Sequence, residues 1–304
     1  MKSKSIGGFT MNYIYLYGQI MTTQSFLLYG QYPKADGYAE IKERYHLLGG
    51  ETGTAAAIIA SLGCNLVLGG THLGEDNAEL ILDYFNNKFV DTSKLVNEKD
   101  FQGVIDHVII DQNTRTVFGQ FGKYFSRQLP WYEQPEEESI KNCTVVGTDP
   151  YFGEQIVTLC QKYKKQFATI DCAYDSQLNK HCSVNAISHQ HLRDAYPNKT
   201  IQELYKLYTQ HSEGLIIFTF GENEVMYGRK NQEPKYFKPY EVNVVSTLGA
   251  GDSFKAGTIY ALHMGMDDDE LVRFACATAG CACENFPIPL NPPTLEQIHK
   301  IQGT

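Results

Sequence analysis

The chain has 304 residues, with 26 basic and 35 acidic side chains giving a formal charge of −9, and 42% of it is hydrophobic. That balance excludes a wholly disordered polymer. An acidic chain whose basic residues form only short pairs such as Lys164-Lys165 is not expected to bind nucleic acid, although a local phosphate site stays open to it. No run of about 18 apolar residues occurs, so no membrane-spanning helix is expected. The N-terminal stretch carries Lys2 and Lys4, but Gly7, Gly8, Asn12 and Gln19 break its apolar character, so no signal peptide and a cytoplasmic location are expected.

In chain order, 13–45 comes first, mixed in polarity and rich in aromatics. It shares that character with 102–124, and together the two predict a small antiparallel sheet projecting from the main body as a lid. Thr54 to Leu62 is alanine-rich and stops at Gly63, which predicts a helix. Asn65-Leu-Val-Leu-Gly, Thr144-Val-Val-Gly, Phe167-Ala-Thr-Ile-Asp and Leu215-Ile-Ile-Phe-Thr-Phe read as strands. Their unbroken hydrophobicity is what a sheet covered on both faces requires. Helices are expected between them, with Leu80, Ile81, Tyr84 and Phe85 on one face of 75–86, and Ile156, Leu159, Cys160 and Tyr163 on one face of 154–165. This alternation predicts an α/β fold of three layers (αβα) around a mostly parallel central sheet, forming a single domain over 1–304.

Near the C-terminus, Asp267-Asp-Asp-Glu precedes an apolar helix and is expected to cap it. Phe286-Pro-Ile-Pro-Leu-Asn-Pro-Pro cannot be helical, and Thr294 with Gln297 predicts a capping box opening a last helix. The eight cysteines include no C-x-x-C, which points to buried free thiols; Cys276, Cys281 and Cys283 lack the paired spacing of a metal site. His189 and His191 would share a face if they lay on a strand.

The segment from Val244 to Leu262 carries the most chemistry. A short strand is expected to end near Ser246. Gly249, Ala250 and Gly251 then let the backbone approach a ligand, and a helix follows whose Ala256, Gly257 and Ala261 permit close packing. Successive N–H groups at such a helix start form an anion hole. Asp252 stands oddly beside it. Either this carboxylate caps the helix, or it accepts a proton from a hydroxyl attacking a phosphoryl group. No G-x-x-x-x-G-K-[ST], strand-following G-x-G-x-x-G, G-x-S-x-G or H-E-x-x-H occurs.

Ser246-Thr-Leu-Gly-Ala-Gly-Asp252 resembles the D-T-x-G-A-G-D signature of the ribokinase-like, or PfkB, carbohydrate kinases. Gly49-Gly-Glu-Thr-Gly-Thr-Ala-Ala, Ala60-Ser-Leu-Gly and Gly70-Thr-His-Leu-Gly-Glu-Asp resemble its first signature. The resemblance runs from Gly18 to the final helix. It implies MgATP-dependent phosphorylation of a sugar-like hydroxyl, with Asp252 as catalytic base and residues 249–251 as the anion hole. It places Gly49, Gly50, Thr54 and Thr23 against the substrate and Thr219 and Gly221 against the nucleotide, and it implies a possible homodimer through the lid. It names no metal ligand. Thr23 stands where the family often carries a sugar-binding Asp, Thr54 replaces its Asn, Ser188-His-Gln-His191 replaces its N-x-x-E, and Ser246 replaces the leading Asp. Asp36, Asp149 and Asp171 are the acids considered as compensation. The alternatives are a non-catalytic sugar- or nucleotide-binding protein on the same fold, and a nucleoside kinase.

Overall fold

The structure, a computed structural model, describes residues 12–111, 114–126 and 130–303. The stretch holding Lys2 and Lys4 lies outside the described residues. β1 (Ile14–Gly18) is followed by β2 (Met21–Leu28), β3 (Ile41–Gly49), α1 (Glu51–Ser61), β4 (Leu66–Gly70), α2 (Ala78–Phe85) and β5 (Val90–Asp91). Next come β6 (Ile105–Ile110), β7 (Arg115–Phe118), α3 (Phe121–Phe125), α4 (Glu137–Asn142), β8 (Val145–Thr148), α5 (Glu154–Tyr163), β9 (Gln166–Ile170) and α6 (Gln177–His181). The chain continues through β10 (Val184–Ser188), α7 (His189–Ala195), α8 (Ile201–Gln210), β11 (Leu215–Thr219), β12 (Val225–Gly228) and β13 (Lys235–Phe237). It ends with α9 (Ala250–Met264), α10 (Asp268–Glu284) and α11 (Leu295–Gln302).

The main sheet has nine strands in the order β13-β12-β11-β10-β9-β8-β1-β4-β5. Every pairing from β5 to β11 is parallel, while β12 and β13 add antiparallel at one edge. Both faces are covered, as the apolar runs require. Ile14 and Leu16 of β1 enter one core with Ile58, Ile259 and Phe274, whereas Tyr15 and Tyr17 enter the opposite core with Trp131, Ile156 and Phe167. On the first face, a Cβ at Gly257 would meet the Cα of Ala275 at 2.8 Å, so α9 and α10 pack in direct backbone contact there.

The small sheet orders β3-β2-β6-β7. Its outer pairings are antiparallel, and its central one, β2 with β6, is parallel. The segment expected to supply only lid strands is divided: residues 14–18 form β1 in the middle of the main sheet, because strictly buried residues there serve both cores. The acid run at Asp267 caps α10 as expected, there in a capping box with Glu270, and the capping box expected of Thr294 with Gln297 opens α11. All eight cysteines are free thiols and seven are buried.

Two local expectations differ from the structure. Residues 241–246 form no strand; the Val245 and Ser246 N–H groups donate instead to the Cys283 carbonyl at 2.9 and 3.2 Å, so the segment hangs from the end of α10. Val244 and Val245 are 59% and 64% exposed, and so their apolarity reports no sheet position. His189 and His191 lie on α7, where one-apart residues do not face each other.

Candidate active site

Parallel strands deliver their carboxyl ends to one edge of the sheet, and most of the singled-out residues gather there. α9 begins at Gly249, whose φ of 79° is left-handed backbone suited to glycine. A Cβ at Gly249 would lie 3.6 Å from Thr54 Cγ2 and 2.7 Å from Ile288 Cδ1, and one at Gly251 would lie 3.6 Å from Ile170 at the end of β9. Thr54 and the glycine loop are therefore neighbours. Ala250 and Gly251 open the first turn, whose N–H groups have no partner within the helix. Asp252 stands in that turn and makes no capping hydrogen bond. Capping does not account for it.

Burial pushes the Asp252 carboxyl up to about 6; Lys255 and Arg115 oppose the rise, while Asp149 and Asp171 add to it. Lys255, one turn further along the buried face of α9, forms an ion pair with Asp149, and both side chains are essentially inaccessible, at 1% and 0% exposure. Burial works against the ammonium charge, but Asp149 and Glu51 overrule it and hold Lys255 above its usual range. Asp149 also accepts from the Gln19 N–H and, at 2.9 Å, from the Thr52 hydroxyl. This single carboxylate thus joins the loop after β1, the first turn of α1, the end of β8 and α9. A lysine three residues after Asp252, in an otherwise apolar helix face, was the available signal for the pair.

Asp171 ends β9 with φ 48° and accepts from the Ser188 N–H at 2.7 Å and its hydroxyl at 3.1 Å. Ser188 pairs with Thr219 across β10 and β11, which puts Thr219 at the same edge. Gly221 follows in the turn, with φ 65° and open space where a Cβ would stand. Ser188 caps α7 by accepting the His191 N–H, so the S-x-x-H stretch keeps a helix start while losing the carboxylate of N-x-x-E.

At the other side of the cleft, Gly50 has φ 81° and turns β3 into α1. A Cβ at Gly49 would strike the Thr23 hydroxyl, so these two positions touch across β2 and β3. Glu51 follows directly. Its Oε2 is buried without a hydrogen-bond partner among the described residues, and burial, reinforced by the Asp149 carboxylate, holds its carboxyl well above the usual range. The lid reaches this edge twice: the Tyr45 ring packs edge-on against Phe286 at 5.8 Å, and Arg115 donates to the Thr247 hydroxyl at 3.2 Å, two residues before Gly249. Of the acids considered as compensation for Thr23, Asp36 is exposed in the turn between β2 and β3, and Asp149 and Asp171 are already engaged.

Among the described residues, no group of three or more His, Cys, Asp or Glu side chains could enclose a metal ion. A magnesium ion carried by a nucleotide needs no such cage, since it keeps several waters and takes one or two carboxylates plus phosphate oxygens. The unpartnered Glu51 oxygen fits that requirement.

A 1-phosphofructokinase from Vibrio cholerae is 33% identical over 87 residues, a stretch spanning 29% of this chain and 26% of that relative. The chain thus matches about a quarter of the length of that curated relative. A ribokinase from Arabidopsis thaliana, solved with ribose and ATP, superposes with a TM-score of 0.78 at 16% identity, covering 96% of this chain and 99% of the other. A nucleoside kinase from Methanocaldococcus jannaschii gives 0.74 at 18% identity, covering 98% and 100%. The sequence model of the pfkB family of carbohydrate kinases matches residues 11–287, and with the glycine loop, Asp252 and the two-sheet architecture in agreement, the chain belongs to that family.

Proposed function

We propose that the chain transfers the γ-phosphoryl group of ATP to a hydroxyl of a small sugar-like acceptor. Asp252 takes the proton of the attacking hydroxyl; the acceptor oxygen forms a bond to the γ-phosphorus as the bond from that phosphorus to the β,γ-bridging oxygen breaks, and ADP leaves. The amides of residues 249–251, of which that of Ala250 also donates to the Thr247 carbonyl at 3.2 Å, and the positive end of α9 face the charge that develops on the phosphoryl oxygens. Thr219 and Gly221 line the nucleotide side, and Thr23, Gly49, Gly50 and Thr54 the acceptor side. Magnesium, when bound with ATP, would neutralise phosphate charge, and Glu51, whose Oε2 has no partner among the described residues, is the carboxyl group available to hold it. Arg115 brings a cation from the lid to the loop, so a closed lid both excludes water and adds positive charge.

The observation that carries this reading is Asp252 itself: a carboxyl with no capping role, at the mouth of an open glycine loop, tuned close to neutral pH. An ADP-release screen with MgATP over sugars, sugar acids, polyols and nucleosides tests it. Acceptor-dependent ADP release is expected with at least one sugar-like compound, and calorimetric sugar binding without turnover across the whole panel would establish a binding protein instead.

A further inference from the structure

The acceptor side of the cleft lacks the carboxylate that would hold two neighbouring hydroxyls, since a threonine hydroxyl has too few hydrogen-bonding sites for that task. The small sheet supplies one from another strand. Thr23 of β2 lies in register with Asp106 of β6, so both side chains project from the same face. That face is the one turned to the cleft. Tyr45 lies opposite Ser25, two residues from Thr23, and its ring contacts Phe286; Arg115 lies opposite Ile110, four residues from Asp106, and its guanidinium reaches Thr247.

Asp106 is 9% exposed, yet its Oδ1 is buried with no hydrogen-bond partner among the described residues. A buried acceptor atom without a donor is a cost that a folded chain rarely carries without a use for it. Burial raises its carboxyl from the usual range, with the Thr23 hydroxyl and the His107 ring opposing the rise. Nothing cationic in the described structure forms an ion pair with it, in contrast to Asp149. Hydroxyl donors of a bound molecule are the groups suited to partner this oxygen.

We infer that Asp106 is the acceptor-gripping carboxylate of this chain, taking from β6 the position that Thr23 leaves empty on β2, and that the acceptor is a polyhydroxy compound presenting two adjacent hydroxyls to it. Thr23 shares this pocket and orients the carboxylate, and the missing Cβ of Gly49 is what leaves room for the Thr23 hydroxyl there. The inference rests on the kinase reading above and adds to it the residue that selects the acceptor. It also predicts that an acceptor carrying an anionic group at that end is discriminated against, because like charges would meet in a poorly solvated site.

The test uses the full chain with MgATP and four probes: D-ribose, D-fructose, D-gluconate and adenosine. Asp106→Asn is expected to raise KM for the accepted probe by roughly 10- to 100-fold, the range a hydrogen bond to a charged group supports, while KM for ATP stays within about twofold and the melting temperature does not fall. The double variant Thr23→Asp, Asp106→Ala returns the carboxylate to the adjacent strand and should recover much of that loss, an effect no purely structural role would produce. If the wild-type chain turns over a probe and Asp106→Asn leaves its KM unchanged, the assignment of Asp106 is wrong and the kinase reading stands. If the wild-type chain turns over none of the four probes, the proposed acceptor class is wrong, and Asp106 loses its assignment with it.

Discussion

Turnover should collapse on acidification through the ionisation of Asp252, and the structure supplies the size of the effect. A base must be unprotonated to work, and burial holds this carboxyl at about 6 instead of the ordinary aspartate value of 3.8. With a single ionisation there, about nine-tenths of the enzyme carries the active carboxylate at pH 7 and about one-tenth at pH 5, a roughly tenfold fall in kcat at saturating MgATP. An aspartate of ordinary acidity would remain almost fully ionised over the same span. Replacing Asp252 with Asn keeps the shape of the first turn of α9 and leaves the amides of residues 249–251 in place, so nucleotide binding should persist. Turnover should drop by about 10²–10⁴-fold and lose its acid limb. Coupled measurement of ADP release between pH 4.5 and 8, with calorimetric titration of ATP into both proteins, reads the two effects separately. An acid limb centred near 4, or a variant with turnover close to that of the parent, would refute the assignment of Asp252 as base.

Two further substitutions probe the scaffold under that base. Lys255→Met strands the fully buried Asp149 carboxylate without its counter-ion and should cost about 3–5 kcal/mol of stability by urea unfolding, whereas adding Asp149→Leu should restore much of it; equal losses in the single and double variants would show that the pair is not what holds the site together. Gly249→Ala forces a side chain into left-handed backbone at φ 79° beside Ile288, at a cost of about 1–2 kcal/mol. Its urea midpoint should fall and its ATP affinity weaken in parallel, and an unchanged affinity would separate the loop from the nucleotide.

Several layers of this molecule could be read without coordinates, and they share a local cause. Unbroken apolar runs marked β4, β8, β9 and β11 because a strand covered on both faces cannot alternate. The caps of α10 and α11 follow from side chains bonding backbone three residues away. The glycine loop and Asp252 were legible for the same reason, being a contiguous turn whose function needs small residues next to an acid. The short strand expected to end near Ser246 failed because the valines there are exposed, and periodicity cannot distinguish an extended segment hung from a helix end from one paired in a sheet.

Sequence by itself determined the layered α/β architecture and the place of the glycine loop, since each depends on residues within a few positions of one another, whereas the first two helices begin at Glu51 and Ala78 instead of the expected 54 and 75. The charge state and the partners of the site were decided only in three dimensions. Lys255 meets Asp149 across 106 positions, Arg115 meets Thr247 across 132, and Asp106 comes beside Thr23 only because β6 pairs parallel to β2. Strand register and crossover connections set those meetings, and neither leaves a local signature in the residues that take part.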